Sequence, residues 1–218
     1  MTNSALHKAD AHAHSHTVRV GVLALQGDYR EHLSMLTDLG ADARPVRRVA
    51  ELDAVAGLVI PGGESTVIDK LSRLFGLADP IRAAIDAGLP VYGTCAGLIM
   101  LADRLLDAAP GQQSFGGFDV TVRRNAFGSQ TDSFETDLDV AEVAGGRVRA
   151  AFIRAPVIEQ FGPKVVPLAA LPDGRIVAAR QGNLLGTSFH PEMTGEPRFH
   201  RLFLGLVQRA AYRSNGSD

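Results

Sequence analysis

The hydrophobic and polar positions of this chain alternate between short apolar runs and stretches with helical spacing. VRVGVLAL at 18–25 and GLVI at 57–60 are typical of strands buried inside a sheet. Between them, residues 28–39 place Leu33, Leu36 and Leu39 on one face of a predicted helix. Strands that alternate with helices in this way predict an α/β protein with parallel strand pairing.

The same alternation continues to the end of the chain, although strands dominate the second half. No internal repeat and no linker interrupts residues 18–212, so we predict a single domain there. Its expected architecture has three layers, with a central, mostly parallel mixed sheet flanked by helices. Further helices are predicted over 65–75, 80–87, 95–106 and 197–212, and further strands over 90–92, 118–123, 133–140, 148–153, 175–179 and 184–189.

The two ends differ in composition from the region between them. In residues 1–17 several histidines alternate with other residues, and in an extended chain they could share a side and hold a transition metal. We prefer the simpler interpretation of a flexible leader that binds metal only opportunistically, and we predict a flexible tail at 213–218. The histidines of the leader are His7, His12, His14 and His16.

Charge and cysteine content narrow the classes of function. The net charge of -2 gives no positive field for nucleic acid or an anionic membrane. No apolar run approaches the roughly 20 residues of a membrane span, and the N-terminus lacks the apolar core of a signal peptide. One cysteine cannot form an internal disulfide, which fits a reducing compartment. We therefore expect a cytoplasmic protein that binds neither nucleic acid nor membrane.

The single cysteine lies in GTCAGLIML, residues 93–101, after a predicted strand and at the start of a predicted helix. Gly-x-Cys-x-Gly has the form of a nucleophile elbow, in which Gly93 and Gly97 remove side chains that would clash in a sharp turn. The helix N-terminus also favours the thiolate over the thiol. Cys95 is therefore a candidate nucleophile, although this weak pattern also fits a buried cysteine near a packing turn.

A second stretch, SFHPE at 188–192, follows another apolar strand. On extended backbone, residues two positions apart point the same way, so His190 and Glu192 can face one site. A thiol needs a base to accept its proton, and an imidazole needs a carboxylate to fix its tautomer. Cys95, His190 and Glu192 thus form a candidate catalytic triad. Taken singly, Cys95 would be interpreted as a buried cysteine near a turn, His190 as a surface histidine and Glu192 as a solvated charge.

A third stretch, PGGEST at 61–66, allows three interpretations. We rank first an oxyanion hole, in which the N–H groups of Gly63 and Ala96 face the carbonyl that Cys95 attacks. A plain turn with Ser65 or Thr66 as the helix cap comes second. A phosphate loop comes third, because the lysine of the GxxxxGK[ST] pattern is missing.

Taken together, these residues resemble the class I glutamine amidotransferases, whose glutaminase domains carry a Cys-His-Glu triad. Within that class they are similar to one family, the glutaminase subunits of pyridoxal 5'-phosphate synthase. The likeness extends from about residue 18 to residue 210 and implies a flavodoxin-like α/β fold. The stretches that carry it are VGVLALQGDYREH, PGGEST, GTCAGLIMLA, RRNAFGSQTDSFE, FIRAP and SFHPE.

The resemblance implies a role for each matching residue. Cys95 would be the nucleophile, and His190 and Glu192 would complete the triad. Among the substrate contacts, two arginines would hold the amino-acid end of glutamine, because a guanidinium suits an α-carboxylate, with surface salt bridging as the alternative. The residues that would contact glutamine are Gly63, Glu64, Ser65, Arg124, Ile153 and Arg154.

The implied reaction is hydrolysis of L-glutamine to L-glutamate and ammonia, with the ammonia passed to the synthase subunit of a large hetero-oligomer. The neighbourhood of Gln26 would lie against that partner. No cofactor and no metal in the site are expected. The alternatives are a stand-alone cysteine γ-glutamyl hydrolase, the glutaminase subunit of another amidotransferase, and a binding subunit without activity. A complete triad argues against the last.

Overall fold

The strands form one large mixed sheet and a second sheet of two strands. The computed structural model describes residues 17–126 and 133–215. The strands are β1 (Arg19–Leu23), β2 (Asp42–Val46), β3 (Gly57–Ile60), β4 (Val91–Thr94), β5 (Ala102–Leu106), β6 (Phe118–Arg123), β7 (Phe134–Leu138), β8 (Val148–Phe152), β9 (Val157–Phe161), β10 (Val166–Ala170), β11 (Ile176–Gln181) and β12 (Leu184–Thr187).

The helices vary from single turns to the long helix at the end of the chain. None of those described is both long enough and apolar enough to cross a membrane. They are α1 (Tyr29–Asp38), α2 (Val49–Leu52), α3 (Ser65–Leu74), α4 (Ala78–Asp86), α5 (Ala96–Leu101), α6 (Pro191–Thr194) and α7 (Arg198–Asn215).

Parallel pairing builds the half of the large sheet that carries the predicted site. The strand order is β2-β1-β3-β4-β12-β11-β9-β6-β5, and β10 pairs with β11. The neighbouring strands β2, β1, β3, β4 and β12 pair in parallel, as do β5 and β6. The pairs that involve β9, β10 or β11 are antiparallel. The first five strands in space thus follow the flavodoxin-like order. This confirms the predicted α/β fold with a mixed sheet.

Two hydrophobic cores lie on opposite faces of the sheet, as the alternation of side chains along a strand requires. Val59 and Ile60 are neighbours on β3, yet they pack into different cores. Helices α3, α4 and α5 contribute to the core around Ile60, whereas α1, α7 and the β7–β8 pair contribute to the core around Val59. The predicted three-layer arrangement is therefore confirmed.

Helix α5 is shorter than the sequence predicts. The expected helix over 95–106 ends at Leu101, and Ala102–Leu106 forms β5 instead. The backbone turns at Ala102, where φ is -66° and ψ is 138°, and β5 then pairs in parallel with β6. An apolar run that continues past a helix does not reveal this change by itself, because periodicity cannot separate a short strand from one more helical turn.

The sequence pattern does not predict β2, β9 or β10. Strand β2 has the sequence DARPV and lies at the edge of the sheet, beside β1. Pro45 has no N–H to donate, and a charged, proline-containing strand is tolerated at an edge because one side needs no partner. Strand β9 (VIEQF) contains two polar residues, and strand β10 (VPLAA) contains Pro167, which weakens a strand prediction.

The carboxyl ends of β1, β3, β4 and β12 meet at one edge of the sheet because these strands are parallel. Loop 24–28 follows β1, loop 61–64 follows β3, Cys95 follows β4, and residues 188–190 follow β12. In open parallel sheets, ligands bind outside this edge. The sheet therefore brings the three predicted site segments to one place.

The predicted domain boundaries of 18–212 stay a prediction. The histidines of the leader lie outside the described residues, as do 127–132 of the RRNAFGSQTDSFE stretch and the last residues of the predicted tail, 216–218.

Candidate active site

Cys95 occupies a strained turn between β4 and α5. Its φ of 48° and ψ of -102° form a conformation that residues with a Cβ rarely adopt. A Cβ on Gly93 would lie 2.4 Å from the carbonyl carbon of Gly97, and one on Gly97 would lie 2.0 Å from the carbonyl oxygen of Ile60. Glycine is therefore required on both sides of the turn. Cys95 is 6% exposed, so this residue is buried and does not project from the protein surface.

The loop after β3 packs against the loop after β1. Gln26 Oε1 accepts a hydrogen bond from the Glu64 N–H at 2.8 Å, and the Gly62 carbonyl accepts one from the Asp28 N–H at 3.3 Å. Gly63 has a φ of 141°, and a Cβ there would lie 2.4 Å from Gln26 Oε1. The path of this glycine pair is therefore fixed by the chain that follows β1.

His190 lies at the start of α6 and contacts both other members of the predicted triad. Its Nδ1 is 2.7 Å from Glu192 Oε1, and its ring lines the same cavity as Cys95. Burial disfavours the imidazolium, but the interactions with Cys95 and Glu192 outweigh it and raise the pKa of His190 to about 10. The structure thus brings Cys95, His190 and Glu192 into one chain of contacts.

The side chain of Glu192 is fully buried. Burial raises the pKa of its carboxyl, although the hydrogen bond with His190 acts in the opposite direction. A second carboxylate, that of Asp28, approaches His190 Nδ1 at 3.6 Å. The ligand atoms of these three residues lie within 4.8 Å of one another, as metal ligands do. His190 Nδ1 is already bonded to Glu192 Oε1, so we interpret the cluster as a hydrogen-bonded one.

A cavity of about 320 Å³ opens beside Cys95 and His190. This volume is within the range of small-molecule sites. Ala96 and Glu192 are buried and do not line it. The predicted substrate contacts all line it, namely Gly63, Glu64, Ser65, Arg124, Ile153 and Arg154, together with Gln26, Asp28, Ile99, Asn125 and Met193.

Arg124 is held by a polar network at one wall of this cavity. Its guanidinium contacts Glu64 Oε1 at 3.2 Å and Gln112 Oε1 at 2.9 Å. Gln112 also donates to Ser65 Oγ at 3.0 Å. Glu64 caps α3 by accepting from the Thr66 N–H, so the cap is neither of the residues that the turn interpretation proposed. The network fixes the orientation of Arg124, which a substrate-positioning group needs.

Arg154 lines the same cavity, but other described side chains do not hold its guanidinium as they hold that of Arg124. No hydrogen bond or ion pair with another described residue engages its guanidinium, and its φ is 46°. Cys95, Asn125 and Arg154 are three of the described non-glycine residues with positive φ, and all three line the cavity. Backbone strain that gathers at one cavity is a feature of functional sites. Within the described part of the chain, Arg154 is thus a free cation beside the space next to Cys95.

Comparison with known proteins identifies the family. A model of the SNO glutamine amidotransferase family matches residues 22–209. The chain belongs to this glutamine amidotransferase family. The assignment confirms the resemblance found in the sequence.

Curated relatives of this glutamine amidotransferase span nearly its whole length. The pyridoxal 5'-phosphate synthase subunit PdxT of Clavibacter sepedonicus is 65% identical over 88% of this chain and 91% of its own. The PdxT subunit of Streptomyces coelicolor is 59% identical over 89% of this chain and 96% of its own.

Solved structures agree with the fold. A crystal structure described as a glutamine amidotransferase superposes with a TM-score of 0.81 at 47% identity, covering 87% of this chain and 98% of that one. A putative GMP synthase component from Thermoplasma acidophilum has a TM-score of 0.64 at 20% identity, covering 93% and 99%, which shows a shared fold.

Sequence reasoning missed four residues around the site of this amidotransferase. Asp28 ends the loop after the first strand, at the N-cap of α1, and its position there could have drawn attention to it. Gln112 lies in a loop without any motif, so no signal pointed to it. His32 and His200 lie on α1 and α7 and meet behind Glu192, a contact that only the tertiary fold creates.

Proposed function

We propose that this chain is the glutaminase subunit of a pyridoxal 5'-phosphate synthase. In this role it hydrolyses L-glutamine to L-glutamate and ammonia and delivers the ammonia to the synthase subunit. The observation that carries the chemistry is the contact chain from Cys95 through His190 to Glu192 beside a cavity with cationic groups. The name of the partner complex is supported by curated relatives at 58–65% identity.

The first half-reaction forms a thioester. The Cys95 thiolate attacks the carboxamide carbon of glutamine, and the resulting oxyanion is held by the N–H groups of Gly63 and Ala96. The raised pKa of His190 keeps its ring protonated at neutral pH, so it can donate a proton to the departing nitrogen. The C–N bond breaks, ammonia leaves, and a γ-glutamyl group remains on sulfur.

The second half-reaction restores the enzyme. His190, now neutral, accepts a proton from water while the hydroxyl attacks the thioester carbon. The C–S bond breaks, which regenerates the thiolate beside the imidazolium, and the γ-carboxyl group loses its proton to solvent. Glu192 accepts the Nδ1–H hydrogen bond throughout, which fixes the tautomer and the orientation of the ring. These steps require no cofactor.

Substrate binding is assigned to the cationic wall of the cavity. Arg154, whose guanidinium is free of other described residues, pairs with the α-carboxylate of glutamine, and Ile153 packs beside it. Arg124, held by Glu64 and Gln112, supplies a second fixed donor. Gly63 and Ser65 contact the carboxamide end near Cys95.

A glutaminase assay of the full chain, with and without the synthase subunit, tests this assignment. A glutaminase that ran without its partner would waste glutamine, because ammonia released into bulk water is protonated and lost as a nucleophile. We therefore expect turnover to rise strongly when the partner is bound. Equal turnover without the partner would contradict the role in a synthase complex and favour a stand-alone γ-glutamyl hydrolase.

A further inference from the structure

Behind Glu192 lies a buried polar chain that the proposed reaction does not use. Glu192 Oε1 binds His190, but its other oxygen, Oε2, is buried and has no hydrogen-bond partner among the described residues. His32 Nε2 faces it at 3.6 Å. A buried carboxylate oxygen without a donor is costly, so the group facing it decides how stable the charge is.

His32 is linked in turn to a second histidine and a threonine. Its Nδ1 is 2.8 Å from His200 Nε2, and its Nε2 is 3.2 Å from Thr94 Oγ1. Both histidines are completely buried, and they come from α1 and α7, 168 positions apart in the chain. Thr94 directly precedes Cys95. The dyad thus touches the segment of the nucleophile as well as the carboxylate of the triad.

Both imidazoles are neutral. Burial lowers the pKa of His200 to about 4. The pKa of His32 lies well below its usual value because of burial first, and then because protonation would place its charge beside the imidazoles of His200 and His190. A neutral imidazole carries one N–H and one lone pair, so the contact between the two rings must be N–H to nitrogen in one direction.

The carboxylate selects that direction. If His32 carried its proton on Nδ1, the lone pair of its Nε2 would face Glu192 Oε2, and two negative regions would meet in a low dielectric. With the proton on Nε2, the N–H points toward Oε2 and Thr94, and Nδ1 accepts from the Nε2–H of His200. The buried Nδ1 of His200, which has no described partner, is then a lone pair rather than an orphaned donor.

We propose that His32 and His200 are positioning residues, whose N–H dipoles run in series toward Glu192 Oε2 and hold that side chain as a carboxylate aimed at His190. The inference rests on the proposed function, because it takes Glu192 as the partner of the catalytic imidazole. Without the dyad, the carboxylate loses the N–H that faces it, Glu192 takes up a proton, and His190 loses the charge that favours its imidazolium. The Cys95 thiolate then forms only at higher pH.

Other titratable groups face this chain and act on different parts of it. Asp28 approaches His190 Nδ1 at 3.6 Å and adds a second negative charge there. Tyr92 presents its ring edge-on to His200 at 5.5 Å and stays neutral, since burial raises the pKa of its hydroxyl. Neither group donates to Glu192 Oε2, so the dyad is the element to test.

The tautomers can be read directly in the wild-type chain. Nitrogen-15 NMR of the histidine rings in the full-length protein distinguishes protonated from unprotonated ring nitrogens. We expect the proton on Nε2 of both His32 and His200 at neutral pH. A proton on Nδ1 of His32 would overturn the proposal without any variant.

A second test uses the fact that the chain contains one cysteine. The rate of alkylation by iodoacetamide against pH therefore reports the Cys95 thiolate alone, without substrate or partner. His32→Leu removes the donor and should raise the midpoint of this profile by about one pH unit. His32→Gln keeps an N–H donor at a similar position and should shift the midpoint by less than half as much. His200→Leu, which leaves His32 in place, should also raise the midpoint.

Phe203→Leu is the control for lost packing, because Phe203 is fully buried on α7 next to Tyr92 and carries no polar group. It should lower Tm and leave the alkylation midpoint unchanged. Identical profiles for His32→Leu and His32→Gln would overturn the proposal, as would unchanged midpoints in His32→Leu and His200→Leu. Alkylation requires no turnover, so absent glutamine hydrolysis in the wild type would sink the proposed function and leave this test intact.

Discussion

His190 Nδ1 lies 2.7 Å from Glu192 Oε1 in a region where the Glu192 side chain has no contact with solvent. In such a low dielectric, a hydrogen bond from an imidazolium to a carboxylate is stronger than it would be in water. The pair fixes which ring nitrogen remains for Cys95, because Nδ1 is occupied and only Nε2 is left. The orientation of the proposed base thus depends on one buried carboxylate.

Glu192→Gln should keep the shape of this pair and remove its charge. We expect kcat for glutamine hydrolysis to fall by about 10²–10⁴-fold, because the imidazolium loses its counter-charge. Thermal stability should hold, since a neutral amide is easier to bury than a carboxylate. Glu142→Gln, which affects an ion pair with Arg180 outside the cavity, is the matched control and should retain activity. Equal activity in the two variants would remove Glu192 from the mechanism.

Gly62→Ala should displace the proposed base. A Cβ at this position would lie 2.3 Å from His190 Cε1, so the ring must move. A displacement of this kind costs about 100-fold in rate when it misaligns a catalytic group. Gly205→Ala is the control, because its Cβ would meet only the flexible end of Arg209 at 3.3 Å. Steady-state kinetics that leave kcat of Gly62→Ala at the wild-type value would contradict the account.

Arg154→Ala should weaken substrate binding more than it slows the chemistry. A charge-assisted hydrogen bond contributes about 1.5–3 kcal/mol, which corresponds to a rise in KM of about ten- to a hundredfold. Arg149→Ala removes an exposed arginine that pairs with Glu135, and its KM should not change. An unchanged KM for Arg154→Ala would assign Arg154 to the surface rather than to the substrate.

The buried histidines should make the fold sensitive to mild acid. The pKa of His200 is lowered to about 4 from 6.5, and that of His32 is lowered as well. Below pH 6.5 the unfolded chain therefore binds protons that the native chain does not, so these groups lower the free energy of unfolding as pH falls. Glu192 and His190, with their raised pKa values, act in the opposite direction.

The contribution of His200 can be isolated with His200→Gln, which does not titrate. Urea unfolding at pH 7 and pH 5 should show a loss in the wild type that exceeds the loss in the variant by about 2 kcal/mol. Parallel losses in the two proteins would mean that His200 is protonated in the native state.

The sequence predicted Cys95 and His190 as one site because each stands shortly after an apolar strand, whereas Glu192 lies on α6 and not on the extended backbone that the prediction assumed. Cys95 follows β4 and His190 follows β12, and parallel pairing of these strands is enough to place both at one edge. The positions of Gly57–Ile60 and Phe118–Arg123 were predicted to the residue, since GLVI is an apolar run and FDVTVR alternates apolar and polar residues as a strand does. Where a local sequence pattern encodes a strand, the sequence alone is enough to predict the bounds of that strand.

The rest depends on contacts that no local pattern contains. His32 lies on a helix among polar residues and looks like a solvated position, but α7 covers it and supplies His200. Gln112 gains its importance only because its loop passes between Ser65 and Arg124. The end of α5 at Leu101 depends likewise on β6, which offers the following residues a strand to pair with.

The central claim is that Cys95 forms a covalent γ-glutamyl intermediate. Intact-mass spectrometry of the full chain, quenched in acid during turnover of L-glutamine in the presence of the synthase subunit, tests it most directly. The account predicts a mass increase of one γ-glutamyl group, located on Cys95 by peptide mapping and absent in Cys95→Ala, which should also be inactive. Glutamine hydrolysis by Cys95→Ala at more than a trace, or an adduct on another residue, would contradict it.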